Sequence, residues 1–431
     1  MNIITKPSSI KGSLFVPGSK SHTIRACLFS ALSKGRSVIE NPLPSADCLS
    51  AVRVIEQFGA KVTQGPDTWT IDGIGTHWKQ PGFVIDVGDS GTLLHFITGI
   101  ASTIDGYVVI SGDQSICKRP IRQQLLGLRQ LGAEAFPTRE NFDAPPVILK
   151  GPVHAGLARI DGSLSQHVSG LLMAGALTKG RTRIELSHPQ EIPFVLMTVQ
   201  WLASIGIHVD YDEREFKWYE IEGPNEFPAI NRAIPSDWEG VAFPLGAAML
   251  TDSTLDITHL DCKGNQGDAA IVDVFREMGA DIAIDEEKGC LTVHGGKRLH
   301  GVTVNCSNFP DALPMLSVVA AFADGVSRFT DIGVCRLKET DRISLMKKEL
   351  EKLGAEVHEG PDFMEVVGGK KLHGGIIESY GDHRIAMAMA VCGMALPEGS
   401  VVVRDAECCA VSFPGFFDLM NTVGAGFKEE P

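Results

Sequence analysis

Leu350-Glu-Lys-Leu-Gly-Ala355 reads as the end of an amphipathic helix, with Gly354 where a chain leaving a helix turns left-handed. The same phrase recurs as Ile55-Glu-Gln-Phe-Gly-Ala60, Leu128-Arg-Gln-Leu-Gly-Ala133, Leu202-Ala-Ser-Ile-Gly-Ile207, Phe275-Arg-Glu-Met-Gly-Ala280 and Met420-Asn-Thr-Val-Gly-Ala425. The six glycines, Gly59, Gly132, Gly206, Gly279, Gly354 and Gly424, are spaced by 73, 74, 73, 75 and 70 residues. Five of the phrases run on into strand, turn and strand, as in Lys61-Val-Thr-Gln-Gly-Pro-Asp-Thr-Trp-Thr-Ile71, where Gly-Pro-Asp marks the turn. The sixth stops short at the chain end.

Upstream of each phrase lie a β-prone segment and a second helical stretch, such as Thr92–Ala101 or His383–Val391. One copy is therefore two helices and about four short strands, burying a helix layer under sheet. The spacing is too long for a solenoid, whose repeats run about 20 to 50 residues. A chain of 431 residues exceeds what one core usually organises, so three copies in each of two domains is the expected α/β architecture. The boundary falls near Ala233-Ile-Pro-Ser-Asp-Trp238, and the functional site is expected in the cleft between domains.

A net charge of −14 opposes binding to nucleic acid or an anionic membrane, so an anionic substrate must meet a local basic cluster. No apolar run reaches the roughly 18 to 20 residues of a membrane span, and Met1-Asn-Ile-Ile-Thr-Lys6 lacks the pattern of a secretory signal, so the cytoplasm is expected. The 10 cysteines include no C-x-x-C pair and indicate neither a disulfide framework nor a zinc site.

Several polar turns sit in front of apolar helices. In Val16-Pro-Gly-Ser-Lys-Ser-His-Thr-Ile-Arg25 the turn precedes a helix beginning near Ile24, and its free N–H groups with Lys20 and Arg25 suit an anion. Serine capping beside solvated cations explains that stretch equally well. Val87-Gly-Asp-Ser-Gly-Thr92 offers a second such helix start, with Asp89 repelling an anion unless its side chain is turned away. Cys117-Lys-Arg-Pro-Ile-Arg122 places three cations around a proline that can begin a helix, or forms a solvated surface run. In Leu337-Lys-Glu-Thr-Asp-Arg-Ile343 a helix would make Lys338 and Arg342 neighbours one turn apart. Tyr380-Gly-Asp-His-Arg384 sets a histidine and an arginine at a helix head, and Asn308-Phe-Pro-Asp311 sets a carboxylate where either a helix cap or a general base belongs.

As a set, Pro17-Gly-Ser-Lys-Ser21 with Arg25, Lys118-Arg-Pro-Ile121, Gln266-Gly-Asp268, Pro310-Asp-Ala312, Lys338-Glu-Thr-Asp-Arg342, Asp382-His-Arg384 and Ser412-Phe-Pro414 resemble the 3-phosphoshikimate 1-carboxyvinyltransferase (EPSP synthase) family in order and spacing. The resemblance implies a two-domain inside-out α/β barrel of six βαβαββ repeats, with residues 1–19 and 236–431 in one domain and 20–235 in the other. It implies transfer of the enolpyruvyl group of phosphoenolpyruvate to the 5-hydroxyl of shikimate 3-phosphate, by a monomer working on small molecules without metal or organic cofactor. Lys20, Gly91, Thr92, Arg119, Arg342 and Arg384 would bind phosphoenolpyruvate. Ser21, Arg25, Ser165, Gln166, Asp311 and Lys338 would bind the acceptor. Asp311 would take the hydroxyl proton, and Glu339, with Lys20 or His383, would protonate the methylene carbon.

Some positions depart from that pattern. Asp89 stands where the family has asparagine, His95 where it has arginine, Val334 where it has asparagine and Val411 where it has lysine. The loop Asp161-Gly-Ser-Leu-Ser-Gln-His167 is one residue shorter, and Phe194 is a candidate for a position usually held by tyrosine. Weaker donor binding is expected from these changes. Two further readings stay open: enolpyruvyl transfer to another phosphorylated acceptor, and a non-catalytic ligand-binding paralogue.

Overall fold

The computed structural model describes residues 1–430, among which twelve α-helices and six four-stranded sheets form. The helices are α1 (Lys20–Leu32), α2 (Ala46–Gln57), α3 (Gly91–Ala101), α4 (Arg122–Gln130), α5 (Ser165–Leu177), α6 (Ile192–Ser204), α7 (Trp238–Leu250), α8 (Ile271–Glu277), α9 (Leu313–Phe322), α10 (Arg342–Lys352), α11 (His383–Ala395) and α12 (Phe416–Thr422). Each even-numbered helix ends just before one of the six repeat glycines, and all six glycines have φ between +85° and +108°, a region a side chain rarely enters.

Odd and even helices differ because their sequences do. In α3, Gly-Thr-Leu-Leu-His-Phe-Ile-Thr-Gly-Ile-Ala, every residue is buried, and α7 and α11 each bury all but the last residue. Such helices have no face for water and must lie inside. By contrast α10 buries a stripe through Ile343, Met346 and Leu350. Strands alternate, as in Arg36–Glu40, where Ser37 and Ile39 point inward. Helices are thus inside and sheets outside. Close approach of the inner helices fixes particular residues: a Cβ on Gly99 of α3 would lie 1.9 Å from the Gly170 carbonyl of α5.

Each sheet repeats one pattern. Ile85–Asp86 and Gly106–Ser111 run parallel across the buried crossover α3, Gly106–Ser111 pairs antiparallel with Val147–Gly151, and the hairpin partner Glu134–Pro137 forms the edge. This is βαβαββ, found six times with three substitutions of strand. Lys11–Phe15, which leads into α1, pairs with Thr254–Thr258, and Asn231–Ala233, which leads into α7, takes the corresponding place beside Arg36–Glu40. The sixth copy is not left short: Asn2–Thr5 fills its missing strand between Val401–Arg404 and Lys428–Glu430.

Two compact units result, Met1–Pro17 with Pro235–Pro431 (the terminal unit) and Gly18–Ile234 (the inserted unit). Three of the six sheets belong to each. No helix among the described residues is long and apolar enough to cross a membrane.

Local expectations are corrected at two helix starts, α1 and α10, and one of two open readings, the helix cap, is removed at Asp311. α1 begins at Lys20, not near Ile24. Asp311 lies in a 3-10 turn, Pro310–Ala312, and makes no capping hydrogen bond to α9. Lys338 is not on α10 at all, because Asp341 accepts from the Ser344 N–H and starts that helix at Arg342.

Candidate active site

In the terminal unit the starts of α7, α9 and α11 meet. Arg384 in the first turn of α11 donates to Glu239 in the first turn of α7, and its Nε lies 3.7 Å from Asp311 Oδ1, just ahead of α9. Arg342 enters the same cluster from α10. Its Nε donates to Asp382 Oδ2 at 2.8 Å, Nη1 to Asp311 Oδ1 at 2.5 Å and Nη2 to Glu339 Oε2 at 2.5 Å. Lys338 Nζ donates to the other Asp311 oxygen at 3.3 Å. Displacing Lys338 and Glu339 from the helix aims both side chains at this cluster.

The cluster is buried: Arg342 is 0% exposed, Asp382 and His383 likewise, and Arg384 3%. Charges so far from water persist only when paired and hydrogen-bonded. Asp382 satisfies that by capping α11 through the Arg384 N–H at 2.9 Å and accepting from the Thr340 hydroxyl at 3.0 Å. The turn before it has Tyr380 at φ 56°, held by a hydrogen bond from its hydroxyl to Glu349.

Electrostatics follow the geometry. Burial opposes ionisation of Asp311, but Lys338, Arg384 and Arg342 outweigh it and hold the carboxyl well below its ordinary range. Burial likewise opposes the charge on Arg342, yet Asp382, Glu339 and Asp311 more than restore it. Asp268, 2% exposed, is pushed well above the usual carboxylate range by burial and then by Glu239 and Asp311.

In the inserted unit, Lys20 opens α1, 8% exposed, with Nζ 3.3 Å from Asp47 Oδ2. Ser19 makes no capping bond, so serine capping does not explain this turn. Nor are its cations solvated: Arg25 is 2% exposed and donates to the Thr198 hydroxyl, the Ser21 carbonyl and the Phe194 carbonyl while lying over the Phe96 ring. Gly18 is required here, since a Cβ would lie 2.2 Å from the Asn41 carbonyl.

At the start of α3, a Cβ on Gly91 would come within 2.5 Å of Arg119 Nη1, so the guanidinium lies directly over the backbone. Arg119 Nη2 reaches Asp89 at 3.4 Å. Asp89 therefore faces the cation instead of turning away. The Cys117–Arg122 run divides, with the Arg119 side chain 10% exposed and Arg122 68%. Gln166 at the start of α5 donates to the Thr92 hydroxyl at 3.0 Å, and the Ser165 hydroxyl donates to Glu191 at 2.8 Å.

His95 is wholly enclosed. Gln124 Nε2 donates to its carbonyl, so Gln124 Oε1 takes the His95 Nδ1 proton at 2.8 Å, and the His167 ring lies edge-on at 4.7 Å. Burial, then His167, drive the His95 pKa well below the ordinary value, so the ring supplies no charge.

Asp311, Lys338, Glu339, Arg342 and Arg384 thus share one cluster, and Gly91, Thr92, Arg119 and Gln166 a second. Glu239, Asp47 and Glu191 are participants that the motifs did not single out, and Asp268 was quoted in Gln266-Gly-Asp268 without a role. The one available signal was an acidic residue at the head of a helix otherwise too apolar to need one, as at Glu239.

Solved structures first define the class. EPSP synthase from Acinetobacter baumannii matches with a TM-score of 0.82 at 25% identity over 99% of each chain, so these six repeats form the EPSP synthase-like two-domain α/β fold. The family model for EPSP synthase (3-phosphoshikimate 1-carboxyvinyltransferase) matches residues 4–420. Proteins named 3-phosphoshikimate 1-carboxyvinyltransferase are 38% identical in Ruminiclostridium cellulolyticum, over 98% of this chain and 99% of that one, and 35% identical in Methanococcus vannielii, over 99% and 100%. The chain belongs to the EPSP synthase family.

Proposed function

We propose that this protein transfers the enolpyruvyl group of phosphoenolpyruvate to the 5-hydroxyl of shikimate 3-phosphate and releases phosphate, as a shikimate-pathway 3-phosphoshikimate 1-carboxyvinyltransferase. The observation that carries the reading is Asp311, a carboxylate at converging helix starts with Lys338, Arg342 and Arg384 all within 3.7 Å. A donor with a carboxylate and a phosphate suits arginine forks and helix N-termini. Arg342 and Arg384, with Lys20, Gly91, Thr92 and Arg119 of the inserted unit, are its ligands on this reading. Ser21, Arg25, Ser165, Gln166 and Lys338 serve the acceptor.

The chemistry needs an acid at the methylene carbon of the donor and a base at the acceptor hydroxyl. Glu339, with Lys20 or His383, gives a proton to the methylene carbon while the acceptor oxygen bonds to the central carbon and Asp311 takes the hydroxyl proton. The tetrahedral adduct then returns a methyl proton to the group that delivered it and expels phosphate, leaving an enol ether. Asp311 is a weak base while three cations neutralise it. A donor that draws Arg342 and Arg384 toward itself removes those counterions, and Asp311 becomes more basic as the reaction requires.

The protein acts on this reading as a cytoplasmic monomer on two small molecules. Incubation with both substrates should release phosphate only when shikimate 3-phosphate is present. A second reading, another phosphorylated acceptor, is favoured by Val334, 5% exposed, which offers no polar group, and by Phe194, which has no hydroxyl. Phosphate release with a different acceptor and none with shikimate 3-phosphate would establish it instead.

A further inference from the structure

The terminal unit's cluster answers its own cations before any ligand arrives. Lys338, Arg342 and Arg384 face four carboxylates, Asp311, Glu339, Asp382 and Glu239. Arg384 in particular is claimed by Glu239, which is 8% exposed and approaches it from the first turn of α7. The other charged groups facing Arg384 are Asp311, Arg342 and Asp268. Asp237 also bears on this corner, at the cap of α7. Burial, then Glu239 and Asp311, push the Asp268 carboxyl well above the usual carboxylate range, and its Oδ1 is buried without a hydrogen-bond partner.

An anionic donor that takes the Arg384 guanidinium displaces the Glu239 carboxylate. The displaced group then stands buried beside Asp311 and the incoming anion, with no cation left for it. An uncompensated charge there is unfavourable, and protonation from solvent removes it, converting carboxylate to carboxylic acid.

We propose that Glu239 is an internal counterion that yields Arg384 to the donor by taking up one proton, so that donor binding is coupled to protonation of this buried carboxyl. Glu239 is a positioning residue, acting through Arg384. The inference rests on the reading of Arg384 as a donor ligand. Linkage then requires donor affinity to fall with rising pH, by up to about tenfold per unit, beyond any titration of the donor itself.

Phosphoenolpyruvate binding to the full-length protein is measured by calorimetry in buffers of different ionisation enthalpy between pH 6.5 and 8.5, for wild type, Glu239→Gln and Asp268→Asn. Wild type should take up about one proton per donor bound. Glu239→Gln, which keeps the shape and removes the charge, should lose that uptake, flatten the pH dependence and lower the donor KM about tenfold or more, whereas Asp268→Asn should keep the uptake. Uptake near zero in wild type, or Glu239→Gln retaining both uptake and pH slope, overturns the coupling while leaving Arg384 as a donor ligand. Donor binding unchanged by Arg384→Ala overturns the ligand reading itself and the coupling with it. If Glu239→Gln does not fold, the wild-type proton count decides alone.

Discussion

Arg342 and Asp382 form an ion pair closed to solvent: Nε donates to Oδ2 at 2.8 Å, and the two side chains are 1% and 0% exposed. Asp382 also caps α11 and thereby orients His383 and Arg384. One pair therefore connects the α10 start to the α11 start.

Removing only the cation leaves that carboxylate buried and uncompensated. Arg342→Met should cost about 3 to 5 kcal/mol of stability. Asp382→Asn keeps a hydrogen-bonding group at the cap and should cost less. Urea midpoints of the two variants against wild type measure the order, and equal losses would contradict it.

Asp311→Asn preserves shape but cannot accept a proton. It should lower kcat by about 10² to 10⁴ while donor binding persists, because positioned proton transfer contributes on that scale. Rates and calorimetry on the same preparation separate the two effects. A variant with near-normal kcat would remove Asp311 from the base role.

The Arg119–Asp89 contact at 3.4 Å places a competing carboxylate on Arg119, a ligand of the donor on the proposed reading, and Val411 offers no charge. Charge-assisted contacts are each worth about 1.5 to 3 kcal/mol, so Asp89→Asn and Val411→Lys should each lower the donor KM, roughly tenfold or more at full strength. Unchanged KM in both variants would show that these positions do not limit donor binding.

Buried His167 and half-buried His22 should make the inserted unit sensitive to acid. Burial pushes His167 down to about 4, and burial with Arg25 and Arg232 pushes His22 down to about 3. The folded state thus binds fewer protons than the unfolded chain, whose histidines titrate near 6.5. Stability is complete above that value and declines as pH falls through the window from 6.5 toward 4, by up to about 1.4 kcal/mol per unit for each histidine. Denaturation midpoints taken from pH 7 to 4.5 should show the decline, with a shallower slope for His22→Gln. An identical slope would exclude His22 as a contributor.

Much of this was legible because helix ends and turns are local. Gly354 and its five counterparts announce six copies through backbone geometry that neighbouring residues decide. Only the family resemblance assigned residues 1–19 to the second half; the exchange of Lys11–Phe15 with Asn231–Ala233 was not legible in the residues themselves, since pairing of strands so far apart in sequence leaves no local mark, and Asn-Arg-Ala carries little β signal. Lys338 was misplaced on a helix because charge spacing was read ahead of the cap signal in Asp341-Arg-Ile-Ser344. Arg342 and Arg384 were picked out by their motifs, yet Glu239 passed as an ordinary acidic residue in a helix's first turn. Its ion pair depends on α7 meeting α11, a contact between residues 145 apart.

The central claim is enolpyruvyl transfer at the Asp311 cluster. Micromolar enzyme mixed with phosphoenolpyruvate and shikimate 3-phosphate, quenched and read by mass spectrometry, should yield the enol ether in step with phosphate, and Asp311→Asn should yield neither at a comparable rate. Phosphoenolpyruvate recovered intact beside unmodified shikimate 3-phosphate, from folded wild-type protein, would contradict it.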